Sequence, residues 1–205
     1  MLDIGLIGLG LTVIIFFVSF KGFKNEFFVQ KYEFEIDKIL INKEYYRLIS
    51  SGFLHVSWTH LIFNVVTLLA FCGLLESSIG ELYFLLIYFG SLLGGSLFSL
   101  YVHRMHGDYH AIGASGAVTG VVFSCIVLFP GLDITLLGLP LFIPAWFYSI
   151  LYVLITIYGI KSGKGNIAHD AHLGGLIAGV FFAILIKPAM LHENLITILI
   201  VAIPS

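Results

Sequence analysis

The chain has 205 residues, of which 59% are hydrophobic and only 11% charged, with a mean hydropathy of +1.04. A soluble domain carries about 25% charged and about 45–50% apolar residues, so this chain lacks the polar side chains to cover a water-facing surface and reads as an integral membrane protein. Ten Lys and Arg against 12 Asp and Glu leave a net charge of −2, which offers no basic face for nucleic acid. The two cysteines, Cys72 and Cys125, both lie inside apolar runs, which excludes a disulfide framework and a CxxC metal site.

Six segments qualify as membrane spans, against about 20 residues for a full crossing. The first, residues 4–20, is uncharged. A cleaved signal peptide is the rival reading, but no basic stretch precedes the segment and no A-x-A site follows it, so it is expected to be retained. Residues 21–54 form the one long loop, in which Lys, Arg, Asp and Glu alternate with Phe27, Phe28, Tyr32, Phe34, Tyr45 and Tyr46. Such a mixture suits the headgroup region, where amphipathic side chains bury one end.

The second span is expected over residues 58–75, the third over 82–101, the fourth over 115–129, the fifth over 140–160 and the sixth over 171–186. The fourth is short, so its first turn is expected below the membrane surface. The apolar tail 195–203 is too short to cross and is expected as an interfacial helix or a frayed end. With no repeat of fixed period and no low-complexity tract, residues 1–205 read as one all-α membrane domain.

Polar residues inside spans are expensive, and each is a functional hypothesis. His60 and Asn64 open the second span, Ser115 the fourth and His172 the sixth. These three spans run in the same direction, so their N-terminal ends share one membrane face whichever way the chain is inserted. His60 and Asn64 are four apart and project from one side of their helix. Gly116 with Gly120, and Gly175 with Gly179, form G-x-x-x-G faces that let helix backbones approach closely. If those faces meet, Ser115 and His172 lie side by side, the minimum for an activated nucleophile. Ser115 at a helix start also has free N–H groups and the positive dipole end beside it. With His60 and Asn64 these donors could surround a developing oxyanion. Each residue alone has an ordinary role as a helix cap, a polar clamp or a packing device. Their joint placement at the matching ends of alternate spans points to a site.

With these motifs the chain resembles the rhomboid intramembrane serine proteases, whose pattern is H-x-x-x-N on the second helix, G-x-S-G opening the fourth and A-H-x-x-G on the sixth. Here these stand as His60–Asn64, Gly113–Gly116 and Ala171–Gly175, in that order. The resemblance implies a six-transmembrane-helix rhomboid-like bundle with its long first loop at the membrane interface. It implies Ser115 as nucleophile and His172 as general base, then acid, with His60, Asn64 and the Ser115 N–H as oxyanion hole. Gly113, Gly116, Gly120, Gly175 and Gly179 are the packing support. The implied activity is hydrolysis of peptide bonds in or near transmembrane helices of membrane-protein substrates, with no cofactor. A catalytically inactive relative that binds membrane clients is the alternative, although such relatives usually lack the serine or the histidine.

His55 and Phe53 match the family's lead-in to the second helix, and Glu76 an acid common at that helix's end. The family's tryptophan–arginine pair in the long loop stands here as Tyr46-Arg47. Four residues after the serine, where an aromatic often supports the histidine, stands Thr119. Ser77 and Ser78 occupy the short loop where basic residues are common. Asp170, two residues from His172, is not expected to face it, and His169 is placed near the same cavity in an ordinary packing role. Phe63, Trp146 and Phe147 are the guess for a lateral gate between spans two and five.

Other intramembrane enzymes leave traces that are missing: no H-E-x-x-H, no acid within a span core, no G-x-S-x-G. His103, His106, Asp108 and His110 cluster ahead of Ser115, at a spacing permissive for a metal, but none is expected. Orientation is contested. Nine of the ten Lys and Arg sit on the loops of the candidate-site face, which the positive-inside rule assigns to the cytoplasm. The resemblance implies the reverse, a cell-membrane protein with its site open to the outer side, and that is the expectation taken. The sequence carries no signal for an oligomeric state.

Overall fold

The computed structural model describes the backbone of residues 5–135, 142–162 and 168–201, and their side chains up to Lys187 with Thr135 excepted. Five helices are long and apolar enough to cross a membrane: α1 (Leu6–Lys24), α5 (Trp58–Ile79), α6 (Glu81–His103), α8 (Ala145–Ser162) and α9, whose apolar part is His169–Lys187. The sixth, α7 (Ser115–Leu128), has 14 residues, about 21 Å at 1.5 Å per residue against a hydrocarbon core of about 30 Å. It therefore cannot reach both surfaces.

α7 stands in the centre. Its residues Gly116–Cys125 are all buried, packed between α6, α9 and α5. A helix enclosed on every side has no solvent face, which is why its sequence shows no apolar stripe. The anticipated glycine faces do meet. A Cβ added at Gly175 would strike the Gly116 carbonyl, and one at Gly179 the Gly120 carbonyl. Ser124 secures the same seam by donating its hydroxyl proton toward the carbonyls of Gly120 (2.8 Å) and Gly179 (2.9 Å). α6 joins the cluster through Gly94 and Gly95, which face Ala178 and the Ala171 carbonyl of α9. The sequence reading overlooked that third small-residue face.

The chain closes around this centre with few spare residues. The loop expected between spans two and three contracts to Gly80 alone, at φ +82°. The buried carboxylate of Glu76 accepts from the N–H groups of Ile7 (3.0 Å) and Gly8 (2.6 Å), capping the N-terminus of α1 inside the bundle. That position combines unsatisfied donors with the positive end of the helix dipole.

The long loop is folded rather than merely laid on the interface. It contains α2 (Glu26–Tyr32), β1 (Phe34–Glu35), α3 (Ile36–Leu40), α4 (Arg47–Ser50) and a tight turn Ser51–Phe53. Phe34, Ile36, Ile39 and Leu48 form their own buried cluster. Arg47 is buried and ties the loop together, donating to Glu44 (2.6 Å) and to the carbonyls of Gln30 and Glu33 (both 2.8 Å). Tyr46 donates to the Lys31 carbonyl (3.1 Å), so this pair anchors the loop with a phenol in place of an indole. β1 pairs antiparallel with β2 (His110–Ala111), which fastens the loop to the strand leading into α7.

Several boundaries differ from expectation. α1 runs on to Lys24, past the expected end at residue 20, so Lys21 and Lys24 belong to the helix and not to the loop. The fifth helix starts at Ala145, because Phe142–Pro144 (β4) pairs with Asp133–Thr135 (β3) in a hairpin; Pro140 lies outside the described residues. The tail is no separate element: α9 runs unbroken over His169–Val201, and Ile203 lies outside the described residues.

Candidate active site

Ser115 is the first residue of α7, preceded by Ala114 and by Gly113 at φ +146°. A side chain at Gly113 would be strained at that φ. It would also collide with the His60 ring, whose Cε1 and Nε2 lie 2.6 and 3.0 Å from where a Cβ would stand; Ser115 Oγ is 3.6 Å from the same point. Gly113 therefore serves less as helix packing than as the turn that lets His60 and the serine hydroxyl flank one spot.

That turn is held from two sides. The Gly113 N–H donates to the Ser51 carbonyl (3.1 Å), and the Ala114 N–H to His55 Nε2 (3.4 Å). With Nε2 accepting, the His55 proton sits on Nδ1, which donates to Ser19 Oγ (2.8 Å). Ser19 in turn donates to the Phe53 carbonyl (2.9 Å). A chain of bonds thus runs from α1 through His55 to the residue before the serine. His55, on the loop side of α5, is pushed down to about 3 from an ordinary 6.5 by burial, with His60 (ring centroids 4.8 Å apart) adding to it.

Ser115, His60, Asn64 and His172 line one cavity of about 970 Å³. They come from α7, α5 and α9, as the direction of alternate spans required. Asn64 is one turn below His60 and donates to its carbonyl (2.9 Å). α7 and α9 touch beside the pair, with the Ala171 carbonyl 3.0 Å from the Cβ position of Gly116. Among the described residues no hydrogen bond joins Ser115 to His172; such bonds commonly tighten only with substrate in place.

Other candidates sort differently. Asp170 is buried and lies against His103 (Oδ2 to Nε2, 3.4 Å), and His103 stacks on Tyr109 at 3.6 Å. His169 does not line the cavity but packs on Gly159 of α8. The four loop groups His103, His106, Asp108 and His110 do not gather: His110 turns to Glu33 (3.2 Å). Glu33, Glu35 and His110 are the described residues whose donor atoms come within 4.8 Å of one another, at a partly exposed position where such groups are common without an ion. Of the supposed gate, Phe63 lines the cavity, whereas Trp146 and Phe147 lie in the first turn of α8 and are exposed.

Instead α8 presents Tyr148 and Tyr152 to the cavity. Tyr152 shares a hydrogen bond with Thr119 Oγ1 (3.0 Å) and lies nearly parallel to His172, with ring centroids 6.4 Å apart and planes at 29°. The sequence reading missed both tyrosines, although two phenols four apart in one span were a usable signal.

Comparison with known proteins adds the relatives. A family model described as the Rhomboid domain matches residues 42–189. The chain is 32% identical over 170 residues to Rhomboid protein 1, mitochondrial, of Saccharomyces cerevisiae, covering 80% of this chain and 47% of that protein. It is 33% identical over 148 residues to the putative rhomboid protease YdcA of Bacillus subtilis, covering 70% of this chain and 68% of that protein. RHOMBOID-like protein 12, mitochondrial, of Arabidopsis thaliana is 28% identical over 175 residues, 78% of this chain and 51% of that protein. The chain thus spans about half the length of the yeast and plant relatives.

Proposed function

Because the chain belongs to the rhomboid family, whose members here include named proteases, we propose that it is an intramembrane serine endopeptidase acting as one domain. It is a multi-pass integral membrane protein. The observation that carries the catalytic reading is the convergence of Ser115, His172, His60 and Asn64 from three helices on one cavity.

In the proposed reaction His172 takes the Ser115 hydroxyl proton as the oxygen attacks a substrate carbonyl. The tetrahedral oxyanion receives hydrogen bonds from the Ser115 N–H and the His60 and Asn64 side chains, worth about 100–1,000-fold in rate per donor. Collapse breaks the C–N bond, and His172 returns its proton to the leaving amine. Water, deprotonated by the same imidazole, then releases the acyl group from Ser115. The substrate is a transmembrane segment that unwinds locally, since a helix hides its carbonyls in hydrogen bonds. Small residues at the cleaved bond and helix-weakening neighbours suit that requirement. The proposed location is the cell membrane, with the cavity open to the outer side.

Cleavage of a single-span reporter in liposomes tests the reading. Ser115→Ala and His172→Ala are each expected to abolish it while the protein still folds, and chelators to leave it unchanged. Cleavage surviving either substitution removes the dyad. A folded wild-type chain that binds the reporter without cutting it favours the inactive, client-binding alternative.

A further inference from the structure

The imidazole of His172 lacks the carboxylate that orients the histidine in many serine enzymes. Asp170 lies against His103 (3.4 Å) without a hydrogen bond to His172, which makes no ring hydrogen bond among the described residues. Something else must restrict its rotation, because a base that samples many orientations loses the advantage of being positioned. Two rings are in contact range: His169, edge-on at 6.1 Å and itself seated on Gly159, and Tyr152, near-parallel at 6.4 Å.

We propose that Tyr152 is the positioning residue for His172, its ring stacked against the imidazole and its hydroxyl fixed by Thr119. This rests on the reading of His172 as the general base. Three observations converge on it. The stacking distance and tilt fall in the range where aromatic pairs attract. The Tyr152 ring also has Phe123 of α7 at 5.4 Å and Tyr148 at 5.7 Å, so the phenol is braced by two further aromatic rings. Thr119 lies one turn below Ser115 on α7, so its bond to the phenol references the ring on α8 to the helix that carries the nucleophile. The base on α9 is thereby aligned to the serine on α7 through a residue of α8.

The arrangement has a consequence for substrate entry. α8 turns Ile150, Leu151, Leu154, Ile155 and Tyr158 outward and is the least enclosed of the long spans. An outward shift of α8 breaks the Thr119–Tyr152 bond and withdraws the ring, so the base is oriented only while α8 is seated.

The test uses the full chain in liposomes, with kcat and KM for a single-span reporter and the rate at which a small fluorophosphonate labels Ser115. The fluorophosphonate needs no helix to pass α8, so it separates positioning of the base from gating. Tyr152→Leu is expected to lower kcat about 10- to 100-fold with KM little changed, and to slow labelling in parallel. Tyr152→Phe keeps the ring and is expected to lose only about threefold, as is Thr119→Val; the double variant is expected to be no worse than either alone. Wild-type kcat in Tyr152→Leu, a defect confined to KM, unchanged labelling, or additive losses in the double variant each overturn the proposal. If Tyr152→Leu does not fold, the Phe and Val variants decide through their non-additivity. Failure of Ser115-dependent cleavage in the wild type instead overturns the protease reading itself.

Discussion

His55 touches three parts of the molecule at once: Ser19 of the first helix, the ring of His60, and the N–H of Ala114. Its bonds require a neutral ring, since Nε2 must accept. Folded, it resists protonation down to about 3, whereas the unfolded chain takes the proton near 6.5. Between those values the unfolded state holds more protons, so stability falls as pH falls through that window and is fully present above it. Thermal unfolding in detergent is expected to shift to lower temperature from about pH 7 to about pH 4, and His55→Asn to flatten that slope. An unchanged slope in the variant removes His55 as the source. The sequence marked His55 only as part of a familiar lead-in, because nothing in one dimension shows a loop histidine meeting residues 36 before and 59 after it.

At the scale of elements, the seam between α7 and α9 decides where the candidate dyad stands. Its four glycines place backbone against backbone, so Gly179→Ala, whose methyl would meet the Gly120 backbone, must push the helices apart. Overpacking of this kind costs about 1–3 kcal/mol. Gly179→Ala is therefore expected to lower the unfolding temperature and the cleavage rate together. Gly10→Ala, with nothing within 4 Å of its Cβ position, is the control and is expected to be neutral or mildly stabilising, since alanine favours helix by about 1 kcal/mol over glycine. Equal effects of the two would refute the seam's role. This interface was legible in advance from spacing alone, because i and i+4 share a helix face. The part played by α6 was equally open to that reading and was passed over: Gly90 and Gly94 repeat the i, i+4 spacing and face Phe182 and Ala178 of α9. Likewise Trp146 and Phe147 drew attention as bulky aromatics, yet the rings that α8 turns to the cavity are Tyr148 and Tyr152.

For the whole molecule, the charge distribution and the family resemblance assign opposite orientations. Nine of ten basic residues lie toward the candidate-site face by sequence, yet Lys21 and Lys24 close α1 and Lys31, Lys38, Lys43 and Arg47 belong to the first loop, a folded layer tied by buried Arg47. We expect a cysteine placed at Ser162, at the C-terminal end of α8 on the cavity side, to react with an impermeant maleimide added outside, and labelling from the cytoplasmic side alone would reverse the proposed insertion. Composition by itself determined that the chain lives in a membrane, because 11% charge cannot solvate 205 residues. Span parity then determined that His60, Ser115 and His172 share a face, since helices that alternate in direction leave no other arrangement. What only the tertiary structure decided is how those groups are held. The turn at Gly113 rests on His60, His55 grips Ala114, and Tyr152 underlies His172 across a third helix. Each of these contacts joins residues far apart in the chain, and their positions follow from packing, which no local pattern encodes.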